Sequence, residues 1–274
     1  MAIKVIIMDI DGTLVNDEKV ITPLTKETLL KAQDKGVRLV LASGRPTSGL
    51  LKLAEELDME NHHGLFVCFN GSKVVDCQSH ETLYNHAISV EDSKAVLEHL
   101  KNFKAKPMFD KDEYMFDNTI TYKGKPFNVM QYESRGNNYI LCEKRDLAAF
   151  VDFEINKILT FGDPDYLQAH YKEMMEPFKD RLNCMFTSDF YFEYTAKGVD
   201  KAKALDSVLI PMGYKKEEMM AFGDAQNDKS MVEYVGLGVA MGNASDELKA
   251  VANEITDTNN NDGIAKAIMK HIEL

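Results

Sequence analysis

The residues best suited to chemistry in this chain are acidic, and they stand where apolar runs stop. The run KVIIM ends in Asp9 and Asp11, one residue apart, followed at once by Gly12 and Thr13. Two ionised carboxylates repel by about 4 kcal/mol at about 4 Å and an effective dielectric constant of about 20, so this pair calls for a compensating cation. Ser43, Gly44 and Arg45 follow VRLVLA, Asn70 follows LFVCF, GDAQND (with Asp224, Asn227 and Asp228) follows MMAF, and Asn243 comes soon after LGVA. If those runs are strands of one open parallel sheet, all these residues lie at carboxyl ends, where such sheets bind ligands. Converging carboxylates, hydroxyls, amides and glycines contribute nothing to an apolar core. A hard oxygen donor set without histidine selects Mg²⁺, which takes few protein ligands and shares its shell with phosphate oxygens. Glycine beside hydroxyl, in Ser43-Gly44 and Gly12-Thr13, lets backbone N–H groups reach those oxygens. Aspartate is a competent nucleophile toward phosphorus, and a carboxyl two residues on can serve as general acid and base. With Ile10 alone between them, an extended chain would turn both aspartates to one side.

The elements that must position these residues alternate. Residues 3–8, 37–42 and 65–69 read as buried strands. Thr22-Pro23 opens a helix that Gly36 ends, and a second helix spans about 46–57. The same grammar returns late, with helices at 200–212, 228–234, 246–252 (capped by Ser245) and 263–272, and strands at 219–222 and 237–240. Between the two stretches the texture changes. There the pattern predicts helices at 91–103 and 163–178, strands near 106–110, 155–161 and 184–188, and turns at Lys123-Gly124 and at 135–138. The fold class is therefore α/β: a doubly wound, Rossmann-like parallel sheet formed by 1–83 and 189–274, with an α/β domain inserted at 84–188. The polar run Asn259–Asn261 reads as a loop.

Composition narrows the function further. The net charge of −12 over 274 residues argues against nucleic acid and anionic membrane surfaces as partners, and favours a small-molecule substrate. No apolar stretch is long enough to span a bilayer, and the short run at the start is cut by aspartates, so the expected location is the cytoplasm. Cys68, Cys77, Cys142 and Cys184 lack the spacing of zinc ligands and read as reduced packing residues.

Asp9-Ile10-Asp11-Gly12-Thr13, Ser43, a lysine past the insertion and Gly223-Asp224-x-x-Asn227-Asp228 resemble, in order and spacing, the four motifs of the haloacid dehalogenase superfamily of phosphatases. Ser43-Gly44-Arg45-Pro46, Asn70-Gly71, Lys197-Gly198-Val199-Asp200-Lys201 and Ala240-Met241-Gly242-Asn243-Ala244 are similar to its Cof-type branch, whose members carry a mobile type IIB cap. The resemblance implies a Mg²⁺-dependent phosphatase of small phosphorylated metabolites, such as sugar phosphates, working through an aspartyl phosphate. Asp9 would be nucleophile and metal ligand. Asp11 would be general acid and base, with its backbone carbonyl on the metal. Ser43, Gly44, Lys201 and Asn227 would hold the phosphoryl group, and Asp224 would bind Mg²⁺. Asp228, which would act through water or orient Lys201, joins Arg45, Asn70 and Asn243 as candidates for supporting these groups or touching substrate.

Some alternatives stay open at this point. Lys197 and Lys203 lie close to Lys201, which only its Gly-Val-Asp-Lys context favours. A phosphotransferase or mutase on the same fold, a receiver-like phosphoacceptor and a non-catalytic sugar-phosphate sensor share parts of the pattern, although a receiver lacks Asp11. In the insertion, Asp112, Glu113, Tyr114 and Arg135 read as surface residues able to face substrate. The expected assembly is a monomer or weak homodimer.

Overall fold

The computed structural model describes residues 2–112, 114–118, 137 and 139–274. Glu113, Arg135 and the turns expected at 123–124 and around 136 lie outside them, wholly or in part. In chain order the strands are β1 (Val5–Met8), β2 (Arg38–Ala42), β3 (Leu65–Cys68), β4 (Lys73–Asp76), β5 (Thr82–Asn85), β6 (Ala105–Lys111), β7 (Tyr114–Asn118), β8 (Ile140–Lys144), β9 (Lys157–Gly162), β10 (Leu182–Ser188), β11 (Tyr191–Ala196), β12 (Met219–Gly223), β13 (Leu237–Ala240) and β14 (Glu254–Ile255). The helices are α1 (Pro23–Asp34), α2 (Leu51–Glu56), α3 (Val90–Leu100), α4 (Leu147–Phe150), α5 (Pro164–Met175), α6 (Lys201–Leu209), α7 (Lys229–Tyr234), α8 (Asp246–Lys249) and α9 (Gly263–His271). The chain divides into two compact units, residues 1–84 with 200–274, and residues 85–199.

In the first unit an eight-stranded sheet runs β14-β13-β12-β1-β2-β3-β4-β5. From β14 to β3 all neighbours pair parallel, and β4 returns antiparallel to β3. β1 is buried on both faces, as its unbroken apolar run requires. Ile6, Met8, Leu39 and Leu41 pack on one side with Leu29 of α1 and Ile264 of α9. Val5, Ile7 and Val40 pack on the other with Leu205 of α6 and Met231 of α7. The strand order departs in opposite directions from β1 and β12, which places the topological switch point, and hence the crevice, at their carboxyl ends.

The second unit carries a sheet ordered β10-β11-β9-β6-β7-β8. α3, α4 and α5 cover one face, burying Val96, Leu97, Leu147 and Leu167 with Phe109, Ile158 and Tyr194. The boundary expected at 188 falls inside a hairpin. β10 and β11 pair from Leu182↔Ala196, so residues 191–196 lie in this sheet. The turn between them carries no Gly or Pro signal, and β11 is buried at every position, so period-two alternation could not reveal it. Strands β4, β5, β7, β8 and β14 likewise add to those read from sequence.

Thr22 stands at the N-cap of α1 as expected, but its side chain does not cap the helix. Its hydroxyl donates instead to Asp262 at 2.5 Å, tying α1 to the start of α9. Ser245 does cap α8, accepting from the Leu248 N–H. Among the described residues no helix is long and apolar enough to cross a membrane.

Candidate active site

At the tip of β1, Asp9 is 7% exposed and extends the ladder by one bond, donating its N–H to the Phe222 carbonyl of β12 at 3.1 Å. Beyond it the strand ends, because the amides of Leu14 and Val15 turn back to the carbonyls of Asp9 and Ile10. The two aspartates therefore do not share one side of an extended chain. Asp9 points to Lys201, whereas Asp11 reaches the half-exposed rim, where Arg45 and Lys19 meet it.

Lys201 is the first residue of α6, which Asp200 caps by accepting the Lys203 N–H. Its ammonium, fully buried, donates to Asp9 Oδ1 at 2.8 Å, to Asp228 Oδ1 at 2.6 Å and to the Ala42 carbonyl at 2.8 Å. Three donors thus meet three acceptors, the stoichiometry an ammonium can satisfy. Burial alone would lower this lysine's pKa, but the two carboxylates outweigh it and raise it. Lys203 is exposed, and Lys197 donates to the Lys179 carbonyl within the second unit. Geometry thus separates the three lysines where helix spacing could not.

Asp228 spends its other oxygen on the backbone, accepting the N–H groups of Asp224 and Ala225 at 3.1 Å each. It therefore braces both the β12 loop and Lys201. Asp224 accepts the Thr13 hydroxyl at 2.9 Å. The close approach of the two loops explains Gly12: its φ is +83°, and a Cβ there would lie 2.5 Å from Asp224 Oδ2. Thr13, read from sequence as part of an amide nest, instead turns its N–H to the Ile10 carbonyl. Asn243 donates to the Gly12 carbonyl at 2.7 Å.

Burial would raise the Asp11 carboxyl, but it is held below the usual carboxylate range by hydrogen bonds from Arg45, which grips both its oxygens at 3.0 and 2.8 Å, and from Lys19 at 2.9 Å. Lys19 carried no signal in the sequence; a turn with positive φ at Lys19 itself brings it there. If Asp11 works as a base, Arg45→Ala is expected to move the acidic limb of the kcat profile to higher pH, because removing the cation raises the carboxyl's pKa. A pH series on wild type and variant checks this.

Ser43 is 3% exposed, and its Oγ accepts the Arg45 N–H at 3.2 Å, which leaves its own proton to donate. Asn70, in the left-handed region at φ 56°, donates its backbone N–H to the Ser43 carbonyl and accepts Asn227 Nδ2 at 3.1 Å. Its amide lies against Gly44, where an added Cβ would be 3.1 Å from Asn70 Nδ2. Asp9, Asp11, Ser43, Gly44, Arg45, Asn70, Asp224, Asn227, Asp228 and Asn243 therefore follow the carboxyl ends of strands of the first sheet, and Lys201 joins them from the start of α6.

Asp9, Asp224 and Asp228 each offer a carboxylate oxygen, all within 4.8 Å of one another. Three carboxylates around one ammonium leave excess negative charge. Burial, together with the neighbouring carboxylates, raises Asp9 to about 7 and Asp224 to about 6, against the opposing pull of Lys201. Such an oxygen-only, charge-rich set fits a hard divalent cation. Asp9 and Asp224 are the better ligands, because both Asp228 oxygens are already engaged.

The family model for haloacid dehalogenase-like hydrolases matches residues 6–268. The chain belongs to this family. Among curated relatives, the hydrolase is 32% identical to the 5-amino-6-(5-phospho-D-ribitylamino)uracil phosphatase YcsE of Bacillus subtilis, with 97% of this chain and 94% of that protein covered. It is 28% identical to the pyridoxal phosphate phosphatase YbhA of Escherichia coli, covering 99% and 100%. A solved haloacid dehalogenase-like hydrolase from Bacteroides thetaiotaomicron superposes with a TM-score of 0.90 at 32% identity, over 98% of this chain and 100% of that one.

Proposed function

We propose that this hydrolase is a Mg²⁺-dependent phosphatase of small phosphorylated metabolites that works through a phosphoryl group carried on Asp9. The observation that carries the reading is the buried Asp9 carboxylate at the switch point. One oxygen is fixed by Lys201, and the other takes no hydrogen bond among the described residues. The names of the related phosphatases, one acting on a phosphoribityl compound and one on pyridoxal phosphate, support a small phosphomonoester as substrate.

In the first half-reaction Asp9 Oδ2 attacks phosphorus, the bond from phosphorus to the ester oxygen breaks, and a protonated Asp11 gives its proton to the departing alkoxide. In the second, Asp11 takes a proton from water, whose oxygen attacks phosphorus and releases Asp9 and inorganic phosphate. Lys201 fixes the Asp9 rotamer and offsets its charge. The Ser43 hydroxyl, the Gly44 amide and the Asn227 amide would hold phosphoryl oxygens, with Asn70 orienting Asn227 through its side-chain oxygen. When bound by Asp9, Asp224 and the Asp11 carbonyl, Mg²⁺ would neutralise phosphate charge and so favour approach of an anionic nucleophile. To protonate the leaving group, Asp11 must leave the Arg45 fork, which keeps it ionised. Substrate choice would rest with the second unit, as the cap of this family.

Screening phosphomonoesters with Mg²⁺ for released phosphate tests the proposal. Release above the level of an Asp9→Asn control supports it, and none across sugar, vitamin and aryl phosphates counts against it.

The raised carboxyls give a second expectation. Without metal, Asp9 and Asp224 hold protons in the folded protein that the unfolded chain has released above about pH 4. Their stabilising contribution is full below that pH and is lost as pH rises through about 6 to 7. Mg²⁺ competes with those protons, so the rise in Tm on adding Mg²⁺ should be larger at about pH 8 than at about pH 5. Thermal melts with and without Mg²⁺ at both pH values check this, and Asp224→Asn should flatten the difference.

A further inference from the structure

The run Asn259–Asn261 has no part in the chemistry above, yet Asn259 is 6% exposed and each of the three side-chain amides is engaged. Asn259 Nδ2 donates to the Val15 carbonyl at 3.0 Å and to Asp17 Oδ1 at 3.4 Å. Its backbone N–H donates to Asn243 Oδ1 at 3.0 Å, and Asn243 Nδ2 donates in turn to the Gly12 carbonyl at 2.7 Å. Two linked side-chain amides thus hold the carbonyls at both ends of the Gly12–Val15 turn. Asn260 exchanges two bonds with Asp17, at 3.1 and 2.9 Å. The loop has its own anchors: the Asp257 carbonyl accepts the Gly242 N–H, and the Asp257 carboxylate accepts Lys266 Nζ of α9.

The segment held in this way begins immediately after Asp11, and Asp11 itself bridges to Val15. Just beyond Asp17, the turn closed by the Lys19 N–H on the Asn16 carbonyl delivers Lys19 to the Asp11 carboxylate. Asn243, just past β13, reaches the loop that carries Asp9 and Asp11 through its Nδ2, and the Asn259 N–H fixes the same amide by its Oδ1. A shift of about 1 Å in a reacting group can cost about 100-fold in rate, so a brace on backbone carbonyls can matter to catalysis more than to the fold.

We propose that Asn243 and Asn259 are positioning residues that place the Asp11 carboxyl for proton transfer to the leaving group. This rests on the phosphatase reading, in which Asp11 is the general acid. The expected signature is selective loss. Phenyl phosphate needs its leaving group protonated, whereas 4-nitrophenyl phosphate releases 4-nitrophenolate readily without a proton. Asn243→Ala and Asn259→Ala should lower the ratio of kcat/KM for phenyl phosphate over 4-nitrophenyl phosphate by about tenfold relative to wild type. Asn259→Asp, which keeps the size but loses the N–H donor, should do the same. Asn261→Ala, in the same loop but bonded through its side chain only to Asp257, should keep the wild-type ratio.

Equal losses on both esters, or a ratio moved as far by Asn261→Ala, would show a merely structural loop and overturn the proposal. Asn243 is exposed, so its variant carries the test should Asn259→Ala fail to fold. A wild type inactive on both esters would instead overturn the phosphatase reading, and this inference with it.

Discussion

Asp9→Asn is expected to lower kcat/KM for an aryl phosphate by on the order of 10⁵-fold, the scale of losing an enzymatic nucleophile. The same change should leave Tm at or slightly above the wild-type value. The two halves of this expectation have separate causes. An amide cannot attack phosphorus, so the activity loss follows from chemistry alone. Stability is spared because burial and the neighbouring carboxylates already disfavour the charged form of Asp9, pushing it up to about 7. A neutral side chain of the same shape relieves that cost. Lys201 keeps Asp228 and the Ala42 carbonyl as partners, so no buried cation is left unpaired. Steady-state kinetics and a thermal melt on one preparation check both halves. Lost activity with a collapsed Tm would mean that Asp9 is structural.

Lys201→Met should do the reverse to stability while also removing most activity. With its ammonium gone, the carboxylates of Asp9 and Asp228 face each other in a site of almost no exposure. Removing one partner of a buried ion pair costs about 3–5 kcal/mol, because the other charge remains buried without compensation. For a chain of this size that corresponds to a Tm lower by about 10 °C. Activity should fall by about 10³-fold, since the Asp9 rotamer and part of the cationic surroundings of the phosphoryl group go together. Asp228→Asn added to Lys201→Met removes one of the orphaned charges, so the double variant should regain stability without regaining turnover. Additive losses of stability would contradict a shared network.

Much of this site was legible because its chemistry resides in residue types that a strand end does not otherwise need. Asp9, Ser43, Asn70, Asp224 and Asn243 each follow an apolar run, and a parallel sheet brings such ends together whatever the intervening chain. What depends on side-chain reach was not legible. Lys197, Lys201 and Lys203 differ little in sequence context, and only the burial of α6 against the sheet separates them. The divergence of Asp9 and Asp11 follows from a turn after Asp9 that alternation cannot foresee. Lys19 reaches Asp11 through a positive-φ turn with no Gly to announce it. In the second unit, 184–188 reads as a strand and falls within β10, but its hairpin partner β11 has no sequence signature, because a strand buried at every position shows no period of two. Thr22 looked like a helix cap, and its hydroxyl instead serves a contact 240 residues away in the chain.

Turnover is proposed to pass through a phosphoryl group on Asp9. This is tested most directly with the Asp11→Asn variant, which keeps the nucleophile but lacks the base needed for hydrolysis of the intermediate. The variant is mixed with 4-nitrophenyl phosphate and Mg²⁺, quenched in acid and examined by peptide mass spectrometry. One added phosphoryl group is expected, on the peptide containing Asp9 and assigned to that residue. A phosphoryl group on any other side chain, or an unmodified protein in a sample where one equivalent of 4-nitrophenol has been released, would contradict it.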